Sequence, residues 1–401
     1  MFKKILSACQ GEIACRRAAV TTFRMLLGLC LVGAAASSMA QEEVLAKDMR
    51  EEIVRIQVTV KDLYGRQETK PVPITIYRPE GEGPFPLLVF NHGRATSDLR
   101  AKQGRSRPEH LARYFTAKGF VVLAPTRIGY WETYGDFDPE DNRSCNDMRV
   151  EAMSTAASDQ VMAAVEFAKT LPYVDASRWI VAGQSVGGLT SVTTVGRRPA
   201  GLLGGINFSG GTGGNPVQNP GRPCSPQQIG RYWGSLAKNA AVPMLWFYWP
   251  NDKYWGEDIP KDWFKAWTQG GAQADFKTYG AIGSDGHNGW AVDMDHWVPA
   301  VDAFMNALGF DKPAMVLRPP RTAFAEVGDV ARLPLHDSSS RTAYAKFLDA
   351  KPPRAFAVGE RGAYGYGIGD YAMGRALGFC RRSGQKCTLY AVDDDVVWPA
   401  K

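Results

Sequence analysis

The chain has 401 residues, 45% hydrophobic and 22% charged. These are ordinary values for folded protein, and they argue against a disordered, collagenous or many-span membrane chain. The formal charge is +6; setting aside Lys3, Lys4, Arg16, Arg17, Arg24 and Glu12 leaves 42 basic and 40 acidic residues after position 40, without the basic stripe of a nucleic-acid binder.

Residues 1–40 read as a signal peptide. Basic residues precede the apolar run from Met25 to Ala36, and Ser38-Met39-Ala40 offers a small-x-small cleavage site. The run is shorter than the ~20 residues of a membrane span. The remaining chain is therefore expected to be periplasmic or secreted, with no stable membrane span. Of seven cysteines, Cys145, Cys224, Cys380 and Cys387 lie beyond this segment. An even number in an exported chain suggests two disulfides. Cys380 and Cys387 pair by proximity in sequence, and Cys145 and Cys224 by elimination.

Residues 41–310 read as one α/β domain. Strands are expected at 53–60 and 72–77, these first two as an antiparallel edge. Further strands follow at 87–90, 120–124, 179–182, 202–208 and 244–248, with a weaker one at 276–279. Helices are expected at 108–118, 149–169, directly after Gly183–Gly188, and at 297–308. Strands alternating with helices predict a mostly parallel sheet with helices on both faces. Two Gly-, Pro- and aromatic-rich inserts, 127–148 and 209–230, are candidate lids, because loops at the carboxyl ends of such strands line the ligand site. Residues 311–340 read as a linker. Residues 341–401 read as a small α+β unit: helix 341–350, strand 355–358, helix 371–381 and strand 387–392, stapled by Cys380–Cys387. Tyr364 to Gly369 has a G-x-G-x-G look but lacks the long βαβ unit of a dinucleotide fold; a glycine-rich turn is expected.

The chemistry centres on Gly183-Gln184-Ser185-Val186-Gly187, a G-x-S-x-G between a strand and a helix. A serine hydroxyl needs a base, and the chain has five histidines. His287, in the loop Ser284–Gly289 after the last strand, is best placed to reach Ser185. His296 beside Asp293 and Asp295 is the runner-up, read as a helix-end residue rather than a metal ligand. His92 is expected to pack under its own loop, His110 lies on an amphipathic helix and His336 falls in the linker. Asp252, the first acid after strand 244–248, is the orienting carboxylate, ahead of Asp258 and Asp262. The order Ser185, Asp252, His287 is that of α/β-hydrolases. The backbone N–H groups of Val186 and Arg94 are the candidate oxyanion donors. Trp131, Trp249, Trp255 and Trp290 fall near the same edge and are candidates for an aromatic acyl pocket. The Arg94 side chain is a candidate for recognising a substrate carboxylate.

Asn91-His92-Gly93, the Gly183–Gly188 turn, Asn251-Asp252 and Gly286-His287 together resemble the dienelactone hydrolase family of α/β-hydrolases, over about residues 50–310. Secreted carboxylesterases and polyester hydrolases belong to the same wider group. The resemblance implies hydrolysis of a small-molecule ester through an acyl-enzyme, with no metal or organic cofactor. Dienelactone hydrolases carry cysteine where this chain has Ser185, so the resemblance does not extend to the dienelactone substrate. Residues 341–401 resemble small C-terminal extensions of secreted proteobacterial proteins. A serine peptidase with the same triad, and a non-catalytic binding protein using the C-terminal unit, are the alternatives.

Overall fold

The computed structural model describes residues 44, 46–312, 318–369, 372–383 and 385–398. The expected signal peptide lies outside the described residues. Along the chain run β1 (Glu52–Lys61), β2 (Gln67–Tyr77), β3 (Phe85–Asn91), α1 (Glu109–Ala117), β4 (Val121–Pro125), α2 (Val150–Ala168), β5 (Val174–Gln184), α3 (Val186–Gly196) and β6 (Leu202–Phe208). They are followed by α4 (Pro226–Ala237), β7 (Met244–Tyr248), α5 (Ile259–Gln269), β8 (Ala274–Thr278) and α6 (Met294–Ala307). The eight strands form one sheet in the order β1-β2-β4-β3-β5-β6-β7-β8. The β1–β2 and β2–β4 pairs are antiparallel and the rest parallel. This order, with β2 running against its neighbours, is the α/β-hydrolase fold.

The inner strands are apolar on both faces, as parallel strands covered by helices must be. Side chains alternate between faces, so each strand feeds two cores. Leu87, Val89, Val121, Leu123, Trp179 and Val181 point to one cluster, with Val161 and Val165 of α2, Leu189 of α3, Trp233 of α4 and Trp263 of α5. Leu88, Phe90, Val122, Ile180 and Ala182 point to the other, with Leu111 and Phe115 of α1 and Trp297 and Val301 of α6. Helix α4 lies where no helix was expected. Its Gly230 and Gly234 gave that stretch the composition of a loop. In the fold Gly234 faces α5, where a Cβ would lie 3.3 Å from the Ala266 carbonyl oxygen, so the glycine permits close helix packing.

The C-terminal unit comprises α7 (Ser338–Asp349), β9 (Arg354–Gly359), β10 (Tyr364–Ile368), α8 (Ala372–Arg381), β11 (Cys387–Val392) and β12 (Asp395–Val396). Its antiparallel sheet has the order β10-β9-β11-β12. Helix α7 covers one face through Tyr344 and Phe347, and α8 covers the other through Ala376, Leu377 and Cys380. Part of the stretch read as a linker belongs to this core: Leu333 and Leu335 are buried in it, and α7 already starts at Ser338, where Asp337 caps the Ser340 N–H at 2.9 Å. Most of the Tyr364–Gly369 segment, Tyr364–Ile368, is a strand and not the expected turn. Its Gly365 and Gly367 occupy the face under α8, where a Cβ at 365 would collide with the Ala376 carbonyl and the Cys380 N–H. The period-two glycines mark a tightly covered face.

The structure joins Cys145 to Cys224 (Cα–Cα 4.9 Å) and Cys380 to Cys387 (Cα–Cα 6.1 Å). The first ties the two inserts together and closes a loop of 79 residues, the second one of 7. Chain entropy assigns about 4.5 kcal/mol to the longer loop and about 2.4 kcal/mol to the shorter. Denaturant unfolding is therefore expected to show a larger loss for Cys145→Ser/Cys224→Ser than for Cys380→Ser/Cys387→Ser. Equal losses, or peptide maps showing free thiols at all four positions, would contradict this.

Candidate active site

The parallel strands end in register. Asn91 of β3 lies beside Gly183 of β5, Gly183 beside Asn207 of β6, and Phe208 beside Phe247 of β7. Residues just past these ends converge on one edge, where ligands bind in open α/β sheets. Ser185 sits there between β5 and α3 with φ 58° and ψ −123°, a left-handed conformation that costs a non-glycine residue on the order of 1–3 kcal/mol. It is over-determined by its surroundings. The Ser185 N–H donates to the Phe208 carbonyl at 3.0 Å, and its carbonyl accepts from Gly211 and Leu189. A side chain at 183 would strike the Gly187 carbonyl, and one at 187 the Asn91 carbonyl. Glycine at both positions lets the turn close against β3.

Asp252 follows β7 and is 2% exposed. Its Oδ1 accepts from the N–H groups of Tyr254 (2.7 Å) and Trp255 (3.2 Å). Its Oδ2 accepts from His287 Nδ1 at 2.9 Å. That bond requires the proton on Nδ1 and leaves Nε2 with a free lone pair, the tautomer a general base needs. The His287 loop is held from several sides. Its N–H donates to Asp285 Oδ1 at 3.0 Å, its carbonyl accepts from Gln184 Nε2 at 3.4 Å, and the Gly286 N–H donates to the Asn251 carbonyl at 3.1 Å. The Tyr254 ring stacks on the imidazole at 3.9 Å, and the Trp255 ring meets it edge-on at 5.4 Å.

Ser185 and His287 line one cavity of about 370 Å³. Arg94, Gln184, Tyr254, Trp290 and the Gln103–Pro108 segment complete much of its wall. Gly93 packs against the serine: a Cβ there would lie 3.1 Å from Ser185 Cβ. Val186 opens α3 directly behind Ser185 and is buried. The expected site residues thus come together on one edge. Asp258 and Asp262 do not; both lie exposed around the start of α5. His296 is mostly exposed, paired with Asp293 at 2.5 Å, and among the described residues no acidic, His or Cys cluster could hold a metal ion.

Several expectations change. Of the four tryptophans only Trp290 lines the cavity. Trp249 is buried with its indole N–H on Asp293 at 2.6 Å, and Trp255 is buried with its N–H on the Ser209 carbonyl at 2.7 Å. The Arg94 guanidinium is committed to Asp138 at 2.5 Å, with Glu140 at 3.6 Å, which weakens it as a carboxylate receptor. Neither insert supplies a residue to the cavity lining; the first instead braces the Asn91–Arg94 turn. Arg127 donates its backbone N–H to His92 Nε2 (3.1 Å) and its Nη1 to the His92 carbonyl (2.8 Å). Its Nε pairs with the fully buried Glu140. Glu140 also accepts from the Tyr130 hydroxyl at 2.6 Å; burial pushes its pKa up, but the Arg127 charge and hydrogen bond, the Arg94 charge and the Tyr130 hydroxyl together lower it to about 2. Tyr254, two residues past Asp252, had no signal in the sequence; only the turn after β7 brings its ring over the imidazole.

Two histidines are held neutral. Desolvation, with Arg127 adding to it, lowers His92 to about 3. Desolvation, with Arg382 and Arg375 adding to it, lowers His110 to about 3. His110 Nε2 is buried without a hydrogen-bond partner among the described residues. Each folded pKa lies below the unfolded 6.5. Between those values the unfolded chain binds protons that the native state does not, so stability falls as pH drops from about 6.5 toward 3. Thermal unfolding is expected to show a smaller drop in Tm between pH 7 and pH 4 in His110→Phe than in the unaltered protein; an identical drop would contradict the assignment.

No protein-family model and no curated protein matches the chain. Among solved structures it is similar to a chain assigned as a dienelactone hydrolase from Klebsiella pneumoniae subsp. pneumoniae, at 16% identity and TM-score 0.41, covering 65% of this chain and 98% of that one. An esterase from Pyrococcus furiosus aligns at 11% identity and TM-score 0.43, covering 66% and 96%. The acylaminoacyl peptidase of Pyrococcus horikoshii aligns at 15% identity and TM-score 0.46, covering 67% of this chain but only 43% of the peptidase. These are likenesses of architecture. The strand order and the sharp β5–α3 turn define the class, an α/β-hydrolase fold.

Proposed function

We propose that the protein is an exported serine hydrolase that cleaves carboxylic esters through an acyl-enzyme on Ser185. The observation that carries this reading is Ser185, on its left-handed turn, sharing one cavity with a histidine whose far nitrogen is hydrogen-bonded to a buried carboxylate. His287 Nε2 takes the Ser185 proton as Oγ attacks the ester carbonyl. The backbone N–H groups of Val186 and Arg94 receive the oxyanion, and Asp252 stabilises the imidazolium that forms. The tetrahedral intermediate expels the alkoxide, which His287 protonates. Water then gives its proton to His287, attacks the acyl carbonyl and releases the acid, restoring Ser185.

The cavity lining favours an ester over a peptide held by its amino terminus. It contains Arg94, Arg105 and Arg107 and no carboxylate that could bind an ammonium group. The two disulfides support an extracytoplasmic location, in keeping with residues 1–40 as a signal peptide. No helix among the described residues is long and apolar enough to cross a membrane.

Steady-state kinetics on p-nitrophenyl acetate and butyrate, beside aminoacyl and dipeptidyl p-nitroanilides, test the reading. Ester turnover is expected to exceed anilide turnover by orders of magnitude, and Asp252→Asn to lower kcat by about 10⁴ through loss of the working tautomer. Anilide turnover without ester turnover would make the protein a peptidase. Turnover of neither would favour a binding protein.

A further inference from the structure

The C-terminal unit touches the cavity wall without lining the cavity. Helix α8 lies between its own sheet and the hydrolase core. Gly378 faces α1 so closely that a Cβ would lie 3.0 Å from His110 Cβ, and one at Gly374 would lie 3.8 Å from Arg113 Cδ. Between these glycines Arg375, with its side chain 6% exposed, reaches the first turn of α6 and the segment just before it. Its Nη2 donates to both oxygens of Asp295 at 2.7 Å, and its Nη1 donates to the Val292 carbonyl at 3.4 Å. Gly369, in a left-handed conformation at φ 86°, lies directly against the Asp295 carboxylate, where any Cβ would collide.

These contacts grip the two elements that carry one side of the cavity. From α1, the His110 ring lies 4.6 Å from the Trp290 ring. Trp290 in turn stacks on Phe90 at 5.3 Å. Phe90, Pro108 and Trp290 all line the cavity beside Ser185 and His287. The segment from His287 to Asp295 is therefore tied at both ends, with Trp249 Nε1 on Asp293 and Trp297 Nε1 on the Trp290 carbonyl between them. Asp285 and Gln184 hold the His287 end, and Arg375 holds the end past Trp290. The Ser185–His287–Asp252 set is held by β5 and the turn after β7, whereas Trp290, whose carbonyl accepts from Trp297 Nε1 of α6 at 3.0 Å, is carried by the start of α6 that Arg375 anchors through Asp295.

We propose that Arg375 is a positioning residue that fixes the wall at Trp290, so that the C-terminal unit sets the size of acyl group the cavity accepts. This rests on the ester-hydrolase reading. Without the Arg375–Asp295 pair, the start of α6 loses its anchor to the C-terminal unit, and the turn carrying Trp290 keeps its packing and the bonds that Trp297 Nε1 makes to the Trp290 carbonyl and Trp249 Nε1 makes to Asp293. The indole then moves, and bulky acyl chains lose a defined surface. Short acyl groups, which do not reach that wall, keep their turnover because the base and its carboxylate are held elsewhere.

The test uses the full chain and p-nitrophenyl esters from acetate to octanoate, with Arg375→Met, Arg375→Lys and Asp295→Asn compared with the unaltered protein. Arg375→Met is expected to raise KM for octanoate at least fivefold while kcat and KM for acetate stay within twofold. Arg375→Lys, which keeps the charge, is expected to recover part of the loss. Asp295→Asn, which alters the half-exposed partner, is expected to shift octanoate KM in the same direction and serves if Arg375→Met does not fold. An unchanged octanoate-to-acetate ratio in all variants, or a uniform fall on every ester, would overturn the proposal. Absence of ester turnover in the unaltered protein would instead overturn the ester-hydrolase reading.

Discussion

The site depends on one steric constraint, the left-handed turn at Ser185. The chain can leave β5 and enter α3 that sharply only because positions 183 and 187 carry no side chain and sit against the Asn91 end of β3. That closeness sets Gly93 against the serine. It also leaves the start of α3, with its unsatisfied N–H groups, facing the point where Oγ emerges. A methyl group at either glycine would push β3 and α3 apart and move Ser185 away from the Gly93–Arg94 backbone, the segment proposed to supply an oxyanion donor. The strain at Ser185 is held by three backbone hydrogen bonds, two to the end of β6 and the residues after it and one to the first turn of α3, the over-determination that such conformations require.

The second theme is the placement of charge. Arginines surround the cavity, yet those in its wall are paired: Arg94 with Asp138, Arg105 with Glu51, Arg107 with Glu51 and Glu109. Behind the Asn91–Arg94 turn, Arg127 and Glu140 are both fully enclosed. Breaking a buried pair of this kind costs about 3–5 kcal/mol because the remaining charge is stranded. The pair stabilises nothing cheaply, but it specifies where the His92 carbonyl lies and hence how the turn is oriented. The first insert therefore acts as a brace rather than a cover, and the bond from Cys145 to Cys224 fastens it to the second insert.

Much of this was legible in the sequence. The parallel strands announced themselves because burial on both faces demands unbroken apolar runs such as LLVF and WIVA. Ser185, Asp252 and His287 could be singled out because each follows a strand at the same edge and few histidines compete. What could not be read depends on contacts between distant segments. Trp249 and Trp255 looked like pocket residues, but their indole N–H groups found buried acceptors, Asp293 and the Ser209 carbonyl. The glycines of α4 and β10 resembled loop composition, because close approach of a second helix is invisible until the partner is known. Tyr254 carries no pattern of its own; its place over the imidazole follows from the geometry of one turn.

The most direct measurement is intact-protein mass spectrometry after exposure to a fluorophosphonate, with peptide mapping of the adduct. A single phosphonylation on the peptide containing Ser185, abolished in Ser185→Ala and strongly slowed in His287→Ala, is the result this account predicts. No adduct on the folded protein, or one that persists undiminished in Ser185→Ala, would contradict it.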